Sequence, residues 1–516
     1  TINKKHNITA ILVQSAQKET KKTDNVTATD YPNDYIQTVN GGTVTKGGSD
    51  KTQWSIASYL ARVQYNYEGR YMLSAAIRTD GSSRFGKNNR WGYFPSASAA
   101  WRISDEQFFK NVKALSFIND MKIRASYGVT GNFEIGNYEH LATMSNDNYI
   151  LGNNGGSLVY GYKPDNIKRD DLSWEKNQMV NAGIDLQMFD GYLGFSVDYY
   201  NTNTSNMLLY VPVPLLTGYS TSLQNIGKVN NRGWEIALTS QHTFANGFGY
   251  SFNANYAKNT NEVKALGPGN ASIISSGSVA HAYYITEVGK PIGSYYLLVQ
   301  DGVFETEEDL KKYPHFDNTK VGDFRFVDVD GDGKLDLDKD RAVCGNYMPK
   351  FTYGFGGKLW YAGFDMDFNF QGVYGNKILN LNKRYIDNME GNVNGTKIAL
   401  DRWKSETNPG SGLVNKANRK QTGYNGRTST WHLESGSYLR LQNLSLGYTL
   451  PKSFTQKFKV EKLRVYVSGQ NLFTITNYSG YNPEVNARPS KNLTPGEDYG
   501  TYPLARTYMF GLNLTL

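Results

Sequence analysis

Strand-like stretches with a period of two recur along the whole chain, and the connections between them are alternately very short and very long. In SYLARVQYNY, Tyr59, Ala61, Val63, Tyr65 and Tyr67 alternate with Arg62, Gln64 and Asn66. VNAGIDLQM sets Val180, Ala182, Ile184, Leu186 and Met188 against Asn181, Asp185 and Gln187. DMDFNFQG sets Met366, Phe368 and Phe370 against Asp365, Asp367 and Asn369. Successive side chains of a strand point to opposite faces, so each stretch carries one apolar and one polar face. About fourteen such strands are predicted, near residues 6–17, 52–67, 70–80, 91–104, 118–131, 174–188, 192–206, 228–243, 248–262, 351–361, 364–376, 436–449, 461–475 and 505–516. Many exceed the ~5–6 residues usual in globular strands.

The short connections are Glu68-Gly69, Asp190-Gly191, Asn246-Gly247 and Ala362-Gly363, of the kind that supplies the positive φ of two-residue hairpins. The long ones are 18–51, 81–90, 132–173, 207–227, 263–350, 377–435 and 476–504. A soluble sandwich has no reason to alternate in this way. A transmembrane β-barrel has one, because its periplasmic turns are short and its extracellular loops long. The expected fold is therefore all-β, a large antiparallel transmembrane barrel with apolar side chains on lipid and Arg, Asp, Asn and Gln in the lumen. No apolar run of about 18 residues occurs, and the mean hydropathy is −0.55. That excludes a spanning helix but not a barrel strand, in which only every second residue is apolar. A soluble multi-sheet β protein is the bland alternative on strand pattern alone.

The formal charge of +8 is spread along the chain without a basic block, so no nucleic-acid partner is expected. Cys344 is the lone cysteine and supports neither a disulfide framework nor a thiolate metal site. The chain ends inside a strand, TYMFGLNLTL, with Tyr508, Phe510, Leu512, Leu514 and Leu516 on one face. This resembles the assembly signal of outer-membrane barrels, with Leu516 in place of the usual final aromatic. The other end, TINKKHNITAILVQ, has no start Met, signal peptide or lipidation motif, and the expectation is a piece of a larger protein.

DVDGDGKLDLDKD, residues 328–340, places six aspartates in thirteen positions. Asp328, Asp330 and Asp332 occupy positions 1, 3 and 5 of an EF-hand-like loop, and Gly333 supplies the sharp turn. Lys334 would offer its carbonyl and Asp336 a ligand through water. The twelfth position is Lys339, so Asp340 would have to supply the bidentate carboxylate. TEEDLKK from Thr306 fits a short helix capped through Thr306 and Asp309, and FRFVDV is strand-like. No helix pair flanks the loop, so the expectation is a structural Ca²⁺ that pins the extracellular connection 263–350, not a sensor. A solvated acidic turn is the plain alternative.

The six histidines show no H-E-x-x-H spacing, and no nucleophile elbow or P-loop is present. His432 and Glu434 lie near each other at a hairpin, which explains them without chemistry. No enzyme and no organic cofactor is expected. Tyr149, Tyr160, Tyr162, Tyr283, Tyr284, Tyr424 and Trp431 are candidate ligand-stacking rings, although loop packing or an interfacial girdle accounts for such residues equally well.

Several separated stretches resemble one family, the SusC/RagA-like outer-membrane transporters within the TonB-dependent receptors. The most specific runs from Ser58 and contains Arg78, Thr79, Asp80, Gly81, Ser82, Ser83, Arg84, Phe85 and Gly86, then Phe94, Pro95 and Ser96. Further matches are GKPIGSYY from Gly289, GDFRFVDVDGDGKLD from Gly322 and SGSYLRLQNLSLGYTLP from Ser435. SGQNLFTITNYSGYNPE from Ser468, with Asn471, Leu472 and Phe473, and YPLARTYMFGLNL from Tyr502 complete the set. The resemblance implies the C-terminal part, residues 1–516, of a plugged barrel of about 22 strands in the outer membrane of a Gram-negative bacterium. It implies that the plug and first strands lie upstream, that a SusD-like lipoprotein covers the loops, and that the TonB complex supplies energy through the plug. The implied cargo is a glycan or an oligopeptide. A passive porin, a surface adhesin and a soluble calcium-binding β protein remain as alternatives.

Overall fold

A computed structural model describes residues 5–152, 155–219, 221–391, 394–419 and 424–516. Fourteen strands follow one another in a single sheet: β1 (His6–Thr29), β2 (Thr43–Tyr67), β3 (Tyr71–Ser82), β4 (Trp91–Arg102), β5 (Ile118–Asn132), β6 (Glu175–Met188), β7 (Leu193–Pro212), β8 (Thr221–Thr243), β9 (Gly249–Leu266), β10 (Phe351–Tyr361), β11 (Phe364–Tyr374), β12 (Tyr438–Thr449), β13 (Lys462–Thr476) and β14 (Thr507–Thr515). Each pairs with its neighbours in sequence order. No helix among the described residues is long and apolar enough to cross a membrane.

The short turns have the expected chemistry. Glu68-Gly69, Asp190-Gly191 and Ala362-Gly363 each place both residues at positive φ, the requirement of a type I′ hairpin. At Asn246-Gly247 only Gly247 is in that region.

The chain forms two compact units. The first comprises Thr1–Arg102, Arg124–Ala182 and Thr202–Val229. Here β1 to β4 are antiparallel, and their register lines His6, Tyr67, Tyr71 and Trp101 in one row. The rings touch in sequence, Tyr67–Tyr71 at 6.2 Å and Tyr71–Trp101 at 6.4 Å. Tyr59 and Trp91 form a second aromatic pair, at 6.1 Å, toward the other end of the strands. Trp91 and Trp101 share a face of β4, and the stretch between them rises about 33 Å at ~3.3 Å per residue. With the usual barrel tilt this becomes ~25 Å, the height of a lipid-facing apolar band between aromatic girdles. Val63, Leu73, Ile77 and Tyr93 are exposed on this part of the wall.

On the opposite face the first unit has its own core of Phe85, Phe94, Val129, Ile135, Leu172, Trp174 and Leu223. Phe94 is an inward residue of β4, and glycines make room for its ring. A Cβ on Gly131 would come within 2.2 Å of it, and one on Gly92 within 2.4 Å.

The second unit comprises Ile103–Ile123, Gly183–Asn201 and Asn230–Leu516. The described residues of its connections 267–350, 375–437 and 477–506 fold together into a head. The first contributes a four-stranded sheet of Ile273–Ser276, Tyr283–Thr286, Ser294–Leu298 and Arg341–Val343. It also contributes a ribbon of Gln300–Val303 with Phe324–Phe326. Lys377–Asn380 pairs with Leu433–Ser435 on one side and, in parallel, with Glu497–Asp498 on the other.

Two expectations are corrected. Residues 18–51 are not a long loop. β1 and β2 continue as an exposed, paired ribbon, with Thr29 opposite Thr43. The apolar alternation stops near residue 17, but threonine-rich sequence still favours the pleat and the ladder satisfies its own backbone. Likewise 207–227 is mostly strand, because β7 runs on to Pro212 and β8 begins at Thr221. In contrast, the capped helix Glu307–Lys312 has the expected box. Thr306 accepts from the Asp309 N–H, and the Asp309 carboxylate accepts from the Thr306 N–H.

Candidate functional site

The aspartate loop closes on itself through backbone donors. Asp328 accepts from the Gly331 and Gly333 N–H groups, both at 2.8 Å, and these donors, that of Gly333 above all, hold its carboxyl below the usual range. Asp330 accepts from Asp332 and Asp332 from Lys334. Each has carboxylate capacity to spare, since an ionised carboxylate offers about four lone-pair sites. One oxygen from each of Asp328, Asp330 and Asp332 lies within 4.8 Å of the others. Three hard anionic oxygens at this spacing suit a calcium-like cation.

Asp336 and Asp340 play a different part from the one expected. Asp340 is 1% exposed and accepts from the Val329 N–H at 2.8 Å and the Asp336 N–H at 2.6 Å. It clasps the two ends of the loop and does not stand with the triad as a twelfth-position ligand. Asp336 accepts from Asp338 and Lys339 and turns the chain there. Lys334 lies in the turn with its side chain exposed.

The ring candidates separate by exposure. Tyr149, Tyr160 and Tyr162, in the first unit, are about 70% exposed or more. The other four, in the second unit, are committed to packing. Tyr284 is fully buried, its hydroxyl donating to Glu497 at 3.2 Å, so it has no face for a ligand. Alternation within Tyr283–Thr286 sends it into the head. Tyr424 stacks on Phe316 at 4.2 Å, and Arg427 lies over its ring. Trp431 packs on Phe324 with the Lys383 ammonium 4.2 Å from its ring. Arg341 covers Tyr283 at 3.9 Å.

The family-motif residues join loop to wall. Arg78 donates from Nε to both oxygens of Asp80, at 2.8 and 3.0 Å, and from Nη2 to Ser58. Arg84 donates to Asn137 and to the Phe133 carbonyl, with its guanidinium over the Trp54 and Phe133 rings. Ser82 and Phe85 are fully buried, and Phe85 meets Trp174 at 5.2 Å. The Ser83 hydroxyl accepts from the Ser55 N–H, Gly81 lies close to the Trp91 ring, and Pro95 and Ser96 continue β4 beside Phe94. Asn471 has φ +54 at a bulge where Phe473 pairs with Leu441 and Gln470 with Asn443. Its side chain donates to the Ala505 carbonyl, and Leu472 packs against Gly469. An extra residue in the left-handed region bends a strand locally.

Sequence reasoning missed the polar interior of the head. Glu497 is fully buried and accepts from the Ser278 backbone N–H at 3.0 Å, the Ser278 hydroxyl and Tyr284. His432 is fully buried, and its Nδ1 accepts from the Ser429 N–H. Burial, with Lys383 and Arg384 nearby, pushes its pKa down to about 3. Glu434 faces Lys383 at 3.4 Å and accepts from Ser479. Cys344 packs partly buried beside this core, and burial pushes its thiol up.

Residues 12–472 match the family model described as TonB dependent receptor-like, beta-barrel. TonB-dependent receptor P3 of Formosa agariphila is 35% identical over 487 residues, covering 92% of this chain and 47% of the relative. TonB-dependent receptor SusC of Bacteroides thetaiotaomicron is 29% identical over 473 residues, covering 90% of this chain and 44% of the relative. The solved structure of the RagAB peptide transporter superposes with a TM-score of 0.82 at 25% identity, covering 100% of this chain and 54% of that one. The chain thus spans about half the length of these relatives.

Proposed function

Because the chain belongs to the TonB-dependent receptor β-barrel family, whose members are outer-membrane transport proteins and not enzymes, we propose that it forms the C-terminal wall and loop head of a SusC-type nutrient importer. The observation that carries this reading is the match of the whole chain, loops included, to the RagAB peptide transporter. A barrel lumen is suited to an oligomeric polar cargo, a glycan or an oligopeptide. A SusD-like surface lipoprotein would cover the loop head, and the TonB complex would act through a plug. Uptake of a labelled oligomer by cells carrying the intact protein is expected to require both the proton-motive force and TonB. Uptake that persists without either would identify a passive pore. Binding without uptake would identify a surface receptor.

The aspartate triad supports a structural Ca²⁺ in the same reading. Asp328, Asp330 and Asp332 would hold the ion, the Lys334 carbonyl would complete one side, and Asp340 would keep the loop closed. The ion's contribution is charge neutralisation of three clustered carboxylates. Calcium titrated into chelator-treated intact protein is expected to slow hydrogen exchange across residues 328–340. Asp330→Ala is expected to weaken that response by about tenfold or more. Identical exchange with calcium and with chelator would sink the assignment and leave a solvated acidic turn.

A further inference from the structure

The hairpin of β12 and β13 closes in an unusual way. Its ladder runs from Tyr438 opposite Thr476, beside the head, to Thr449 opposite Arg464 at the other end. Residues 450–461, which close it, therefore lie at the end of the wall away from the head. In a barrel whose long loops are extracellular this is the periplasmic rim. Two residues, Ala362-Gly363, suffice to join β10 and β11, whereas twelve separate Thr449 from Lys462.

The turn is well bonded. Pro451 leads into a helical turn, Lys452–Thr455, which passes into a second, Gln456–Phe458. The Phe454 and Thr455 N–H groups donate to the Pro451 carbonyl. Lys459, at φ +58, ends the helix with its N–H on the Gln456 carbonyl. Leu450 donates to the Leu463 carbonyl and Glu461 to that of Thr515, which ties the turn to β13 and β14.

Thr455 is buried, but Phe454 and Phe458 are 48% and 67% exposed. Four positions apart on a helical segment, they share a face, and their rings meet at 5.5 Å. Lys452, Lys457, Lys459 and Lys462 surround them in sequence against the single carboxylate of Glu461, and all four lysines are exposed.

Two large rings left in water by a turn that is otherwise satisfied require an apolar cover. The wall beside them has one. Leu446, Tyr448, Val465 and Phe510 share the outer, lipid-facing side of β12, β13 and β14. Tyr448 meets Phe364 at 4.4 Å as an aromatic pair at this same end. The turn continues that surface toward the headgroups. Phenylalanine rings enter the headgroup–acyl boundary, and lysine stems carry their ammonium groups out to phosphate. The helical turn Gln107–Lys110 in the same unit also exposes Phe108, but its Lys110 faces Asp105 at 3.6 Å. Uncompensated positive charge is thus particular to 450–461.

We propose that residues 450–461 are a membrane anchor, with Phe454 and Phe458 inserted in the periplasmic leaflet and Lys452, Lys457 and Lys459 binding anionic phospholipid headgroups. The inference rests on the membrane wall and is independent of any cargo.

The test is photo-crosslinking of the intact protein in nanodiscs of equal parts phosphatidylglycerol and phosphatidylcholine, with benzoylphenylalanine in place of Phe458. Mass spectrometry of the peptide carrying position 458 reads what the probe has joined. Lipid adducts are expected, with phosphatidylglycerol favoured at least about fivefold, the order that one lysine adds near an anionic surface, and less as salt rises. The combined variant Lys452→Gln, Lys457→Gln and Lys459→Gln is expected to bring the preference below about twofold while lipid adducts persist. Lys110→Gln is expected to leave it unchanged. Heat-dependent migration on gels checks that each variant keeps its barrel. Adducts to protein alone, or none, would overturn the anchor by placing the rings against a plug, a partner or water. Equal labelling of the two lipids, or a preference that survives the combined variant, would overturn the role of the lysines.

Discussion

Glu497→Ala is expected to open the loop head while the strand wall stays paired. The carboxylate is fully buried and takes three donors from the first long connection, the Ser278 N–H, the Ser278 hydroxyl and the Tyr284 hydroxyl. Removing it strands these groups where water does not reach. Each orphaned neutral donor costs about 1–3 kcal/mol. Tyr284 and Tyr295 are fully buried beside it, so no repacking of small side chains can fill the space. The measurement is limited trypsin digestion of membranes, followed by mapping of cuts at Lys290, Lys311 and Lys320. Faster cutting there with an intact wall is expected. An unchanged digestion pattern would show that the head does not depend on this carboxylate. Glu497→Gln keeps one acceptor and should lie between the two.

Acidification is expected to loosen the head through His432. An unfolded histidine takes up its proton near pH 6.5. In the fold, burial together with the positive charge of Lys383 and Arg384 pushes the value down to about 3. The unfolded form therefore binds more protons between these two values, and stability falls as pH drops from about 6.5 toward 3 and levels off below it. The full loss is of order 5 kcal/mol, concentrated on the segment Ser429–Ser435 and its strand partner Lys377–Asn380. Protection of these segments against hydrogen exchange, taken relative to the intrinsic rate at each pH, should fall between pH 7 and pH 5. His432→Asn, which cannot take up a proton, should flatten the profile. The same loss of protection in that variant would assign the effect to another group.

The wall was legible in the sequence because its information is local. Every second residue of β2, β4 or β11 declares a face, and Glu68-Gly69 or Ala362-Gly363 declares a turn. The polar ribbon at the far ends of β1 and β2 escaped, since residues wet on both faces leave no alternation to read. The aspartate loop was legible as a turn, but the role of Asp340 was not, because its partners Val329 and Asp336 are chosen by the three-dimensional closure of the loop. The head was illegible for a stronger reason. Glu497 lies in PGEDYG, which looks like a solvated turn, and its burial depends on Ser278 and Tyr284 more than 200 positions earlier. Tyr284 likewise looked like an available ring until its partner was known.

The parallel pairing of Lys377–Asn380 with Glu497–Asp498 also fixes an order of events. Wall strands joined by the short turns, such as β2 with β3 and β10 with β11, form hairpins that can close as soon as they emerge. The head needs three connections at once, and the last supplies the edge strand Glu497–Asp498 after β12 and β13 have been made. Loop-closure entropy must be met before such distant contacts reward it. The head is therefore the final part of this chain to mature, and an intermediate with a paired wall and an unformed head is the state most exposed to proteases during assembly.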